Sequence, residues 1–139
     1  NVTTNLRPRG LPLIKPPYGR ITAIDLNVGE ILWQVANGMG SPTMRNHSAL
    51  AGVDLPPLGN GWDQVLVTKT LLISAQRTPN EGGSYPLVAR DKLTGDTIAE
   101  LALPAQPIGP PVTYLNNGQQ QIAVTISGTP PELLVVGLP

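Results

Sequence analysis

Apolar and polar positions along the chain come in short runs closed by Gly, Pro, Asn or Asp. "RITAIDL" (20–26) is the clearest: Ile21, Ala23 and Asp25 point one way, Thr22, Ile24 and Leu26 the other. A two-residue period with β-branched content predicts a strand. "EILWQVA" (30–36) predicts a second, with "DLNVG" as the turn between them. Further strands follow at "VLVT" (65–68), "LLISA" (71–75), 87–91, 97–103, "VTYL" (112–115), "QQIAVTIS" (120–127) and "ELLVVGL" (132–138). The Asn117-Gly118 pair between two of them is a strong hairpin signal, because both residues accept the positive φ of a tight turn. Helix is expected only as short turns inside the long irregular connection 37–64. Residues 1–19 carry Pro8, Pro12, Pro16 and Pro17 and predict an extended loop, since proline lacks the ladder N–H.

One hairpin is written twice. Asp25 precedes Gly29 as Asp91 precedes Gly95, 66 positions further on. The Asp carboxylate accepts N–H groups of the turn, and Gly takes the left-handed position that returns the chain. Two strands, then four, then three, with four strands per unit of about 40–50 residues, mark propeller blades. The expected fold is therefore all-β, a fragment of a β-propeller of four-stranded antiparallel blades, one full and two partial. Its segments are 1–36 (end of one blade), 37–64 (long inter-blade loop), 65–103 (full blade) and 104–139 (incomplete last blade).

Composition agrees with many short strands: the 139 residues include 15 Gly and 16 Pro. Lys plus Arg and Asp plus Glu number 9 each, so a nucleic-acid or anionic-membrane partner has no electrostatic footprint here. Charged residues make up only 13%, which suggests surfaces that pack against further protein. No apolar run reaches the roughly 20 residues of a membrane span. There is no Cys to report a redox compartment. The chain opens on Asn1 and reads as a piece of a longer protein.

The order and spacing of these features resemble the C-terminal part of membrane-bound-type quinoprotein dehydrogenases that use pyrroloquinoline quinone (PQQ). Their blades repeat A-x-D-x-x-T-G-x-x-x-W. Ala23, Asp25, Gly29 and Trp33 fit it, with Val28 in the Thr position; Ala89, Asp91, Thr94 and Gly95 fit it again, with Ala99 in the Trp position. "KPPYGRITAIDL" (15–26) and "LPAQPIGPPVTYLNNGQQQIAV" (103–124) are similar to the glucose-dehydrogenase branch. The family's glycine-rich run before the final strand is shortened here to "ISGTPP" (126–131). The missing second Trp suggests a looser contact between the full blade and the last one.

The resemblance implies a parent enzyme that oxidises a sugar or alcohol with PQQ and Ca²⁺, passing electrons to a respiratory acceptor on the periplasmic side. Its catalytic Asp and main calcium ligands find no match here, so the chain alone is expected to be inactive. The rival reading is a non-catalytic scaffold of PQQ-like repeats that binds proteins in the cell envelope. The long 37–64 loop favours the enzyme. Other expected partners are the remaining blades, and a second copy of the chain through edge strands 21–26 or 132–138.

Candidate site residues follow from the loop. His47, the only histidine, supports neither a metal cluster nor a Ser/His/Asp triad. It stands in "MRNHS" (44–48), on the face where the family holds its quinone. Arg45, Asn46 and His47 are therefore candidate cofactor-binding residues, because the carboxylates of PQQ suit Arg and amide partners; a solvated loop is the plainer alternative. Arg7, Arg9, Lys15 and Tyr18 share that face. Asp25 and Asp91 could be an acid–base pair, but turn chemistry accounts for both. Trp33 could stack on a flat cofactor, but docking between blades accounts for it. Asn1-Val-Thr3 and Asn46-His-Ser48 match the glycosylation sequon.

Overall fold

The computed structural model describes residues 7–61 and 63–137. They form nine strands: β1 (Arg20–Asp25), β2 (Glu30–Ala36), β3 (Gln64–Val67), β4 (Leu71–Ala75), β5 (Tyr85–Asp91), β6 (Thr97–Leu103), β7 (Val112–Asn116), β8 (Gln119–Ile126) and β9 (Glu132–Gly137). Every pairing is antiparallel between chain neighbours, giving sheets ordered β1-β2, β3-β4-β5-β6 and β7-β8-β9. The chain is all-β, as its alternation predicts. Helix is confined to α1 (Pro42–Arg45) and single 3-10 turns at Ser48–Leu50 and Pro8–Gly10. The last is a correction: the proline-rich segment is not extended throughout. Prolines resist continued helix but suit the first position of a turn, where Pro8 sits. No helix among the described residues is long and apolar enough to cross a membrane.

The two repeated hairpins match in detail. Ala23 pairs with Trp33 and Ala89 with Ala99, and each ladder shifts register at the next residue. Asp25 Oδ1 accepts from Asn27 N (2.8 Å), and Asp91 Oδ1 from Leu93 N (2.7 Å). Gly29 N and Gly95 N donate back to the Asp carbonyls, with φ of 75° and 81°. Asn117 and Gly118, at φ 50° and 81°, make the expected tight turn between β7 and β8. Asp25 and Asp91 thus act as turn residues.

Trp33 docks the first sheet on the second. Its indole lies over Gly95 and its Nε1 donates to Lys92 O at 3.0 Å, so the hairpin of one blade grips the matching hairpin of the next. A Cβ at Gly95 would stand 2.7 Å from Trp33 Cε3, so glycine here serves both the turn and the contact.

The main core lies elsewhere, between the second and third sheets. Ile73, Ala75, Leu87 and Leu103 face Ile122, Val124 and Ile126 across it, all buried. This corrects the expectation of a looser contact where the second Trp is missing. Branched aliphatic side chains from β4, β5, β6 and β8 interdigitate there, and each contributes about 1.5–3 kcal/mol when fully buried. β4 is covered on both faces, so Leu72 and Ile73 are both buried and its alternation is lost. β7 and β9 are by contrast largely exposed, with Leu115, Leu133 and Val135 open to solvent.

Candidate functional site

The 37–64 connection folds as a built structure between the first two sheets. Residues 37–40 and 58–60 run beside one another and beside Tyr18–Gly19. Tyr18 N donates to Leu58 O (2.7 Å), Asn37 N to Gly19 O (3.0 Å), Leu58 N to Met39 O (3.1 Å) and Gly59 N to Gly38 O (3.0 Å). The middle of the loop rises into α1, whose start is capped by Ser41 Oγ accepting from Met44 N.

Arg45 ends α1 and turns back into the loop. Its Nη1 donates to Met39 O (3.3 Å) and Pro56 O (3.2 Å), and its Nη2 to Leu55 O (3.4 Å). Its Nε is sealed from solvent, makes no hydrogen bond, and faces Glu81 Oε1 at 3.5 Å. Glu81 belongs to the β4–β5 loop and is 72% exposed. The guanidinium therefore staples both ends of the long loop and draws the neighbouring loop towards it. His47 Nδ1 accepts from Ala49 N (3.2 Å) and caps the Ser48–Leu50 turn, while its Nε2 faces Gly10. Asn46 is exposed just beyond α1. Arg7 and Tyr18 meet Ser41 and Met44 around a shallow cleft of about 360 Å³. Arg9 and Lys15 are exposed and line none of the described clefts. Asn1-Val-Thr3 lies outside the described residues.

Beneath the loop sits a buried polar cluster that turn-like sequence conceals. Asn37, Asn60 and Gln76 are each at most 5% exposed. Asn37 Nδ2 donates to Asp63 Oδ2 (2.9 Å) and Arg77 N to Asp63 Oδ1 (2.9 Å). Burial pushes the Asp63 carboxyl above its ordinary value, and these hydrogen bonds together with the Arg77 charge oppose the rise. Asn60 Oδ1 accepts from Gly40 N (3.0 Å), and Asn60 Nδ2 donates to Gln76 Oε1 (3.4 Å). "NG" and "GNG" look like solvated turns, and Gln76 like a loop entry. Only the fold shows that they share one interior.

The fit to PQQ rests on one atom. Arg45 Nε is a buried cationic donor without a hydrogen bond, which suits a carboxylate. His47 Nδ1 is already engaged in its cap, and Asn46 adds an exposed amide. Among the described residues no group of three or more His, Cys, Asp or Glu gathers to hold a metal ion. Calcium chemistry is therefore not assigned to these side chains.

The chain is similar in sequence to known proteins. A family model described as "PQQ: Glucose/ethanol/alcohol dehydrogenase, beta-propeller domain" matches residues 1–122. A probable quinate dehydrogenase (quinone) of Xanthomonas campestris pv. juglandis is 31% identical over 86% of this chain and 15% of its own length. The glycerol dehydrogenase large subunit of Gluconobacter oxydans (strain 621H) is 30% identical over 86% of this chain and 16% of its own. Quinoprotein glucose dehydrogenase A of Acinetobacter calcoaceticus is 26% identical over 91% and 15%. The chain thus spans about 15% of the length of these curated relatives.

Proposed function

The chain belongs to the β-propeller family of PQQ-dependent glucose, ethanol and alcohol dehydrogenases, and from that we propose that it is the C-terminal portion of such an enzyme, acting on a sugar, polyol or related alcohol. The observation that carries this reading is Trp33 seated on Gly95 with its Nε1 on Lys92 O, joining two copies of one hairpin as successive blades. PQQ, when bound, supplies the two-electron oxidation. This chain supplies blades and a face loop. Arg45 offers its Nε to a quinone carboxylate in place of Glu81, and Asn46 and His47 flank it. The acid–base Asp and Ca²⁺ ligands belong to the rest of the polypeptide, which works on the periplasmic side and hands electrons to a respiratory acceptor. The names of the curated relatives favour this over a binding scaffold.

The test uses the complete polypeptide that contains this sequence, supplied with PQQ and Ca²⁺. Dye reduction with glucose, glycerol or quinate is expected, and Arg45→Met should weaken PQQ binding about tenfold, the effect of one charge-assisted hydrogen bond. No turnover with bound PQQ would overturn the reading. The 139-residue chain alone should neither reduce dye nor bind PQQ below micromolar concentration, because most of the ring is absent.

Among the described residues six strands lie at sheet edges: β1, β2, β3, β6, β7 and β9. The same reading singles out β1 and β9. Pairing of either with a second copy, along 21–26 or 132–138, follows from their free N–H and C=O groups and the zero net charge. Residue 138 lies outside the described residues. Light scattering should show the isolated chain above its monomer mass, and a monomer at high concentration would rule this out.

A further inference from the structure

A cleft of about 630 Å³ opens between the first two sheets, and residues of both sheets line it. Val35 of β2 comes from the first sheet, and Pro86, Val88 and Arg90 of β5 and Glu100 of β6 come from the second. Pro16, Pro17 and Met39 add to a lining that is mostly apolar. A space of this size takes a small organic molecule. Arg90 and Glu100 are its two charged lining residues.

Arg90 is held by one part of its guanidinium. Nη1 donates to Gly95 O (3.2 Å) and Thr97 Oγ1 (2.7 Å). Gly95 closes the turn that receives the Trp33 indole, so the contact between the sheets also fixes this anchor. The rest of the group is unused. Nε is sealed from solvent and makes no hydrogen bond, while Nη2 donates to no described residue and is not among the sealed atoms. In a planar guanidinium Nε–H and one Nη2–H lie parallel along a single edge, and a carboxylate takes such an edge with two bonds. A sealed charged donor without an acceptor is costly, so an acceptor delivered to it binds all the more tightly. Glu100 does not serve as that acceptor. It is exposed and forms no ion pair with Arg90 among the described residues. Burial pushes the Arg90 guanidinium below its ordinary value, and the attraction of Glu100, screened by water, does not make up the difference. The cleft therefore holds a cation that its own surroundings leave under-compensated.

We propose that this cleft is a binding site for an organic monocarboxylate with a compact apolar body, its carboxylate taken by the Nε–Nη2 edge of Arg90 and its body by the prolines, Val35, Met39 and Val88. The apolar lining disfavours a bare inorganic anion, which would leave that surface uncovered. One free guanidinium edge matches one carboxylate, and the charge of Glu100 opposes a second. The site stands apart from the dehydrogenase reading, since it uses neither Arg45 nor PQQ.

The test titrates the full chain with 1-naphthoate, followed by calorimetry and proton NMR. 1-Naphthylmethanol (same body, no charge) and acetate (same charge, no body) are the controls. 1-Naphthoate should bind with a dissociation constant on the order of 100 µM, about tenfold tighter than either control. Arg90→Met should abolish the tenfold preference over 1-naphthylmethanol and leave the alcohol unchanged. Glu100→Gln removes the opposing charge at an exposed position and keeps Arg90, so it should tighten 1-naphthoate about threefold without affecting the alcohol. In the unsubstituted chain the Arg90 Nε–H resonance should move downfield with the acid and stay in place with the alcohol, a readout independent of how either variant folds. Equal binding of acid and alcohol, an unmoved Nε–H resonance, unchanged or weaker binding of the acid to Glu100→Gln, or no binding at millimolar concentration would each overturn the proposal.

Discussion

The hairpins at 22–35 and 88–101 have the same turn, the same bulge and the same Asp-to-Gly closure, yet they meet their neighbours differently. The first sends Trp33 onto the Gly95 turn of the second. The second carries Ala99 at the matching position, and beyond it lies a sheet of three strands. That sheet has counterparts of β3, β4 and β5, with no described β6-like strand and hence no Asp-to-Gly turn for an indole to sit on. A docking Trp needs a receiving turn. Where none is described, the contact is made by β4, β5 and β6 packing on β8. The repeated motif is thus a local turn that any blade can use, whereas its Trp is half of a contact between two blades.

Trp33→Ala should have the largest effect, about 3 kcal/mol of stability, from lost aromatic area and the unpaired Lys92 carbonyl. Urea unfolding followed by circular dichroism measures it, and a loss under about 1 kcal/mol would show the indole to be a bystander. Gly95→Ala should cost about 2 kcal/mol and Gly29→Ala about 1. Both place Ala at positive φ, but only at Gly95 does the added Cβ strike the indole; at Gly29 it meets nothing within 4 Å. Equal costs would break the comparison. Asp25→Ala and Asp91→Ala should each lose about 1 kcal/mol, because each removes the acceptor for turn N–H groups. A much larger effect at one would mean a role beyond the turn. Ala99→Trp should change stability least, within about 0.5 kcal/mol. A clear gain would reveal a receiving surface on the third sheet.

The candidate site was less legible than the fold. Arg45 and His47 could be picked out by chemistry and loop position, but nothing in "MRNHS" shows that the guanidinium bonds three loop carbonyls or that His47 caps a turn. Side-chain direction in an irregular loop is set by groups far away in sequence, here Leu55, Pro56 and Glu81. The amides of Asn37, Asn60 and Gln76 were invisible for the same reason. Their residue types favour turns, and only a tertiary interior makes them buried partners.

The sequence by itself determined the strands, their order and their turns. Alternation, Asp-to-Gly spacing and Asn-Gly act over a few residues, within reach of one side chain and its own backbone. Neighbouring strands in all three sheets are consecutive in the chain, so topology came with them. Tertiary structure alone decided that the deepest core lies between the second and third sheets, and that Trp33 has a seat while position 99 needs none. It also decided that a glycine at 38 makes room for the buried amides of Asn60 and Gln76 to meet. Each of these depends on groups tens of residues apart packing at van der Waals distance, and pattern along the chain carries no measure of that distance.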